Sequence, residues 1–247
     1  MKYHEASNLR ELSFHLKFIT NYCLFDDLDN NRMGKAFKAD VVFLVDTSSS
    51  VGTMDFRSQK QFVKSMARSL NVEPGKSRAA IVTYGTTSDA SEMQTRLSAF
   101  QRAVDASRFI QGERRIHLAV NDASSLLQAA RPDVHKIVVL LSGGRESTQD
   151  VTLLRQSLRT LRASGAKIYV ILIGADHSMD DFHPAVERLE DIFTVSSFDN
   201  LVPLARKMPE TIAKRSGITA RFCVISIGLD MQQCGVSVYG ANSHSPC

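Results

Sequence analysis

Four short, unbroken apolar runs separated by stretches of helical period constrain this chain more than any other feature. The runs are Val41-Val42-Phe43-Leu44-Val45, Ala79-Ala80-Ile81-Val82, Ile137-Val138-Val139-Leu140-Leu141 and Ile168-Tyr169-Val170-Ile171-Leu172-Ile173. A run without polar alternation reads as a strand covered on both faces, which a parallel sheet requires. Between the runs the period changes: Phe56, Phe62, Val63, Met66 and Leu70 share one helical face, as do Val151, Leu154, Leu158 and Leu161. Ser164-Gly165 is expected to close the second of these helices. Further helices are expected over Ile116 to Ala130 and Leu201 to Ser216, with a short one near Asp180 to Leu189 and a short strand at Ile192-Phe193-Thr194-Val195. The polar, alternating stretch Ser88 to Ala99 fits an edge strand or hairpin better than a helix. The fold class expected is therefore α/β: a doubly wound, mostly parallel sheet with helices on both faces and one antiparallel edge strand.

The organisation expected is an N-terminal extension over 1–37, the α/β domain over 38–216 and a C-terminal tail over 217–247. The extension reads as an amphipathic helix followed by the polar linker Asp26-Asp27-Leu28-Asp29-Asn30-Asn31. In the tail, Arg221 to Leu229 could form a strand, while Gly235 to Cys247 has no period and is expected to be poorly ordered. With 247 residues and 43% hydrophobic composition, the chain can build one large core. Its net charge of +4 is scattered over 30 basic and 26 acidic residues, so no basic stripe points to nucleic acid. No stretch reaches the ~20 apolar residues of a membrane span, and Lys2, His4, Glu5, Arg10 and Glu11 interrupt any secretory leader. Cys23, Cys223, Cys234 and Cys247 all flank the domain without Cys-x-x-Cys spacing. Disulfides in an oxidising compartment are the natural reading, with four free thiols in a cytosolic protein as the alternative.

Ligands of open parallel sheets bind where loops leave the carboxyl ends of the strands. There the first run ends in Asp46-Thr47-Ser48-Ser49-Ser50, an Asp-x-Ser-x-Ser pattern. Asp46, Ser48 and Ser50 are hard oxygen donors suited to Mg²⁺, Mn²⁺ or Ca²⁺, but too few to complete six-fold coordination. His117, His135, His177 and His183 lie on separate segments without ligand spacing, as expected of surface or boundary residues. No Gly-x-Ser-x-Gly elbow accompanies Ser48 or Ser49. Gly143-Gly144 lacks the remainder of a nucleotide-binding signature. An enzyme is not expected.

The run from Asp40 to Gly52 resembles the opening of a von Willebrand factor A domain of the type VI collagen and matrilin kind. The likeness continues through Asn71-Val72-Glu73-Pro74-Gly75-Lys76-Ser77-Arg78, Val82-Thr83-Tyr84-Gly85 and Ile192 to Leu201, covering about residues 38–216. The resemblance implies a metal-ion-dependent adhesion site completed by a threonine from a second loop and an aspartate after the fourth strand. Here Arg114 stands at the threonine position and Gly143 at the aspartate position. A weak or vestigial cation site at Asp46, Ser48 and Ser50 is therefore expected, with a metal-free turn in which Asp46 accepts N–H bonds or pairs with Arg114 as the favoured alternative. In that alternative, Arg114, Arg115 and Arg145 form a rim that contacts acidic groups of a partner. Exchanging Gly143 for Asp and Arg114 for Thr together is expected to repair the metal site. The function implied is a non-enzymatic adhesion module, extracellular and matrix-associated, binding a protein ligand with collagen as a candidate. The alternative is a cytoplasmic, metal-independent scaffold, and a Cys23–Cys223 bond would discriminate between the two.

Overall fold

The computed structural model describes residues 38–146 and 150–215. A six-stranded sheet runs in the order β3-β2-β1-β4-β5-β6. The strands are β1 (Ala39–Asp46), β2 (Arg78–Tyr84), β3 (Ser88–Ala90), β4 (His135–Ser142), β5 (Lys167–Ile173) and β6 (Ile192–Val195). All pairings are parallel except that of β2 with β3. The helices are α1 (Thr53–Ser69), α2 (Leu97–Ala106), α3 (Ile116–Gln128), α4 (Val151–Ala163) and α5 (Leu201–Arg215).

Every residue of β1 is buried, and its alternating side chains feed two separate cores. Val41, Phe43 and Val45 pack with α1, α2 and α5 through Phe62, Met66, Phe100, Leu201 and Met208. Val42 and Leu44 pack on the other face with α3 and α4 through Val120, Leu127, Leu154 and Leu158. This two-sided burial is why the run carries no polar alternation. Gly165 takes a φ of +85°, so the expected left-handed stop to α4 is present.

Two segments depart from expectation. The stretch Ser88 to Ala99 supplies the expected antiparallel edge strand only as β3, which ends at Ala90; a single antiparallel bridge then joins Gln94 to Ala79, and α2 begins at Leu97. Burial overrides the polar alternation there, because Phe100 and Val104 are pulled into the core and the Phe100 ring lies 5.8 Å from that of Phe43. In place of one short helix near Asp180 to Leu189, three separate 3₁₀ turns occupy Met179–Asp181, His183–Ala185 and Leu189–Asp191. Pro184 sits at the start of the middle turn, where it offers no N–H to extend the helix preceding it. The expectations for residues 1–37 and 217–247, among them the N-terminal helix, the strand at Arg221 to Leu229 and all four cysteines, lie outside the described residues.

At the amino end of β1, Asp40 is fully buried and accepts five N–H bonds. Arg78 on β2 supplies Nε at 2.9 Å and Nη2 at 2.5 Å. Arg131, between α3 and β4, supplies its backbone N, Nε and Nη2 at 3.1, 3.2 and 2.7 Å. Arg131 also donates to Lys76 O at 2.7 Å, tying three segments to one carboxylate. Burial pushes the Asp40 carboxyl up, but the bonds from Arg78 and Arg131 outweigh it and hold the group below its ordinary value. Asp40→Ala leaves two guanidiniums without their anion and should cost about 3–5 kcal/mol at pH 7 in urea denaturation. Because the folded-state pKa is depressed, this contribution is present above the unfolded value of about 4 and is lost as pH falls through the folded value. The gap between wild type and Asp40→Asn should therefore be wide at pH 7 and narrow progressively as the pH is taken below about 4, in unfolding curves measured at each pH.

Candidate functional site

The chain leaves β1 toward β2 on one side of the sheet and reaches β4 on the other side only after β3, α2 and α3. The crevice at the carboxyl ends of β1 and β4 is thus the topological switch point, where diverging loops leave room for a ligand. Asp46, the last residue of β1, is buried there. Its backbone is fixed from behind by Gln59 of α1, whose side-chain amide accepts from Asp46 N at 3.1 Å and donates to Asp46 O at 2.8 Å. Its carboxylate faces the loops. Oδ1 accepts from Ser48 N at 2.9 Å, and Oδ2 accepts from Gly143 N at 2.9 Å and from Arg114 Nε at 2.7 Å.

Arg114 is the hub of the arrangement, with a side chain only 9% exposed. Besides Asp46, it donates through Nη1 to Arg145 O at 2.8 Å and through Nη2 to Ser50 Oγ. Burial opposes its charge, but Asp46, with smaller contributions from Tyr84 and Glu146, outweighs burial and holds the guanidinium above its ordinary pKa. One side chain thereby joins the loop after β1, the loop before α3 and the loop after β4. Ser48 and Ser50 meet through their hydroxyls at 3.1 Å. Asp46, Ser48, Ser50 and Arg114 are therefore brought together.

The two glycines after β4 make this geometry possible. A Cβ on Gly144 would lie 2.7 Å from Arg114 Nη1, and a Cβ on Gly143 would lie 2.9 Å from Phe198 Cζ and 3.5 Å from Asp46 Oδ2. Phe198, which precedes α5, therefore covers the space into which a side chain at 143 would project. Glu146 is buried and accepts from Ile116 N at 2.9 Å, satisfying the first turn of α3 from a different loop. Backbone bonds complete the weave: Gln111 N to Thr47 O at 2.8 Å, Ser49 N to Gly112 O at 2.9 Å and Thr86 N to Gln111 O at 3.0 Å. Around this floor lie the other two rim arginines, each paired with an exposed acid: Arg115 Nη2 is 2.7 Å from Glu113 and Arg145 Nε is 3.1 Å from Asp176. His117, expected at the surface or its boundary, is largely buried in the first turn of α3, 3.9 Å from Asp150, and burial lowers its pKa against the pull of that carboxylate.

The von Willebrand factor type A domain model matches residues 40–206. The chain belongs to that family. It is 31% identical over 180 residues to human matrilin-4, an alignment covering 65% of this chain and 27% of matrilin-4. It is 27% identical over 176 residues to the human collagen alpha-6(VI) chain, covering 68% of this chain and 7% of the collagen. The chain thus spans well under a third of these relatives' length. In three dimensions it is similar to proximal thread matrix protein 1 of the mussel byssus, in a structure described as having a zinc-occupied MIDAS motif. That likeness has a TM-score of 0.64 at 24% identity over 72% of this chain and 46% of the mussel chain, and it bears on the fold alone. The type A architecture accounts for the six-stranded sheet and for the position of Asp46 at its switch point.

Three residues that shape the site, Gln59, Glu146 and Phe198, were not singled out from sequence. Gln59 was legible in part, since a polar residue between Phe56 and Phe62 on a buried helical face must find a buried partner. The other two act across long sequence separations and left no local signal. Removing Arg114 should expose how much the floor depends on it. Arg114→Met leaves a buried carboxylate unpaired and is expected to cost about 3–5 kcal/mol. Adding Asp46→Asn should recover part of that loss, with a coupling of about 1–3 kcal/mol in a double-mutant cycle measured by chemical denaturation.

Proposed function

We propose that this chain is a non-enzymatic, protein-binding type A module of the extracellular matrix that engages its partner through the loops at the carboxyl ends of β1 and β4. The observation that carries the reading is the rim itself: three loops locked onto Asp46 at the switch point, in a chain whose relatives include a matrilin and a type VI collagen chain. A rim fixed in advance binds without the cost of ordering loops, which favours recognition of a protein surface. Arg115 and Arg145 supply its charge. Their pairs with Glu113 and Asp176 are exposed, and exposed pairs are worth only about 0–1 kcal/mol, so a partner's carboxylates can displace them at little cost. The partner chemistry proposed is an acidic protein segment, with collagen the first candidate on account of the matrix relatives.

The test is solid-phase or surface-resonance binding of the chain to collagens and other matrix proteins. Arg115→Glu with Arg145→Glu should weaken binding at least ~10-fold, chiefly through slower association, and leave the thermal midpoint unchanged. Arg68→Glu, exposed near the far end of α1, should bind like wild type. Equal loss from both changes would mean that the rim is not the binding surface. Mass spectrometry of the cysteines tests the compartment: a Cys23–Cys223 bond supports secretion, and four free thiols favour an intracellular scaffold.

A further inference from the structure

We infer that Arg114 is a built-in cation that takes the place of the divalent metal in this adhesion site, so that the rim is held together and recognises its partner without metal. The inference rests on the same rim as the binding reading and deepens it by assigning how the rim is charged and fixed.

The oxygen donors that a metal would use are already engaged. The Nε and Nη2 atoms of one guanidinium bond Asp46 Oδ2 and Ser50 Oγ respectively. A divalent ion bridging those two oxygens would sit about 2.0–2.6 Å from each, inside the volume of the guanidinium. Oδ2 also accepts from Gly143 N, and Oδ1 from Ser48 N, so few lone pairs of the carboxylate remain. Among the described residues no cluster of three His, Cys, Asp or Glu side chains offers further ligands. Like charge adds to the steric conflict, since a guanidinium carries its positive charge at any physiological pH.

The same side chain performs the structural task of a bridging ion. Its three donor nitrogens reach Asp46 at the end of β1, Ser50 in the loop after it and the carbonyl of Arg145 in the loop after β4, from a position in the loop before α3. The neighbours are shaped to this cation. Any side chain at 144 would strike the guanidinium at 2.7 Å, and the space beyond Gly143 is filled by the Phe198 ring at 2.9 Å. Restoring a metal site thus requires more than the two exchanges the sequence suggests. With Arg114→Thr and Gly143→Asp alone, the new Cβ would lie 2.9 Å from Phe198 Cζ, so the ring must move aside or be cut back.

Mn²⁺ titration of the full chain, followed by electron paramagnetic resonance, decides the matter with the metal alone as probe. Wild type should leave the spectrum of free Mn²⁺ unchanged up to about 1 mM, the weak end for extracellular cation sites. The triple variant Arg114→Thr/Gly143→Asp/Phe198→Ala should bind at least ~10-fold more tightly than the double variant that keeps Phe198, a gap of about 1.4 kcal/mol. Wild-type binding that disappears in Asp46→Asn overturns the inference. A folded triple variant that binds no Mn²⁺ overturns it as well, because Arg114 and Phe198 would then not be what keeps metal away. Double and triple variants binding equally would remove Phe198 from the account. Should the triple variant not fold, the wild-type thermal midpoint decides: equal values in Mn²⁺ and in chelator support a metal-free site, and a rise in Mn²⁺ contradicts it. No partner protein enters these measurements, so failure of the adhesion reading and failure of this one remain separate results.

Discussion

The central strand carries a buried carboxylate at each end, and each is neutralised by arginine from another segment. Asp40 faces Arg78 and Arg131 at the amino end, while Asp46 faces Arg114 at the carboxyl end. Between them lie five apolar residues that both cores share. A charge at the end of a fully buried strand is costly unless it is paired and hydrogen-bonded, so each aspartate dictates where its arginine-bearing segment must come to rest. At the amino end the result is a clamp that fixes β2 and the turn before β4. At the carboxyl end it is the loop rim. Register of the parallel pairs and position of the loops thus follow from the same two anions.

The two ends differ in what surrounds the charge. Asp40 is enclosed by two arginines and a backbone N–H, and Arg131 donates in turn to the backbone carbonyl of Lys76. Asp46 lies at the switch point, where the connections diverge and the loops expose Ser49, Gly112 and Arg145. The same kind of ion pair therefore serves stability at one end and presentation of a surface at the other. Gln59 shows how firmly the second is held, because a buried amide spans both backbone groups of Asp46 from the core side.

The sheet was legible in the sequence because strands buried on both faces cannot hide their composition, and all four long apolar runs became parallel strands. Helices with a wide apolar stripe were equally legible: α3 covers Ile116–Gln128 where Ala130 was expected as the last residue, and α5 starts at Leu201 as expected. What was not legible rested on tertiary contact. The polar sequence around Ser88 to Ala99 concealed the start of α2, because only Leu97 of its apolar face lies in that stretch while Phe100 and Val104 follow it. At the site, motif positions pointed to Asp46, Ser48, Ser50 and Arg114, since these sit on the family pattern or break it at recognisable places. Phe198 breaks no pattern in its own segment. Its effect on position 143 arises only once β4 and the turn before α5 are brought together, a contact separated by 55 residues in the chain.

That long-range contact changes how the departure from the family pattern is understood. Glycine at 143 and arginine at 114, considered singly, are two losses of ligand. Taken together with Gly144 and Phe198 they form one packed unit, in which the guanidinium needs the bare backbone at 144 and the ring needs the bare backbone at 143. Reversing a single member leaves the others in conflict with it: an aspartate at 143 meets Phe198, and a threonine at 114 leaves Asp46 buried without its cation. Such interdependence is the behaviour of contacting residues whose effects do not add, and it makes return to metal binding by one substitution unfavourable. On this reading the arginine-centred floor is a settled alternative to an ion-centred one, sustained by packing around Phe198 as much as by the charge of Arg114.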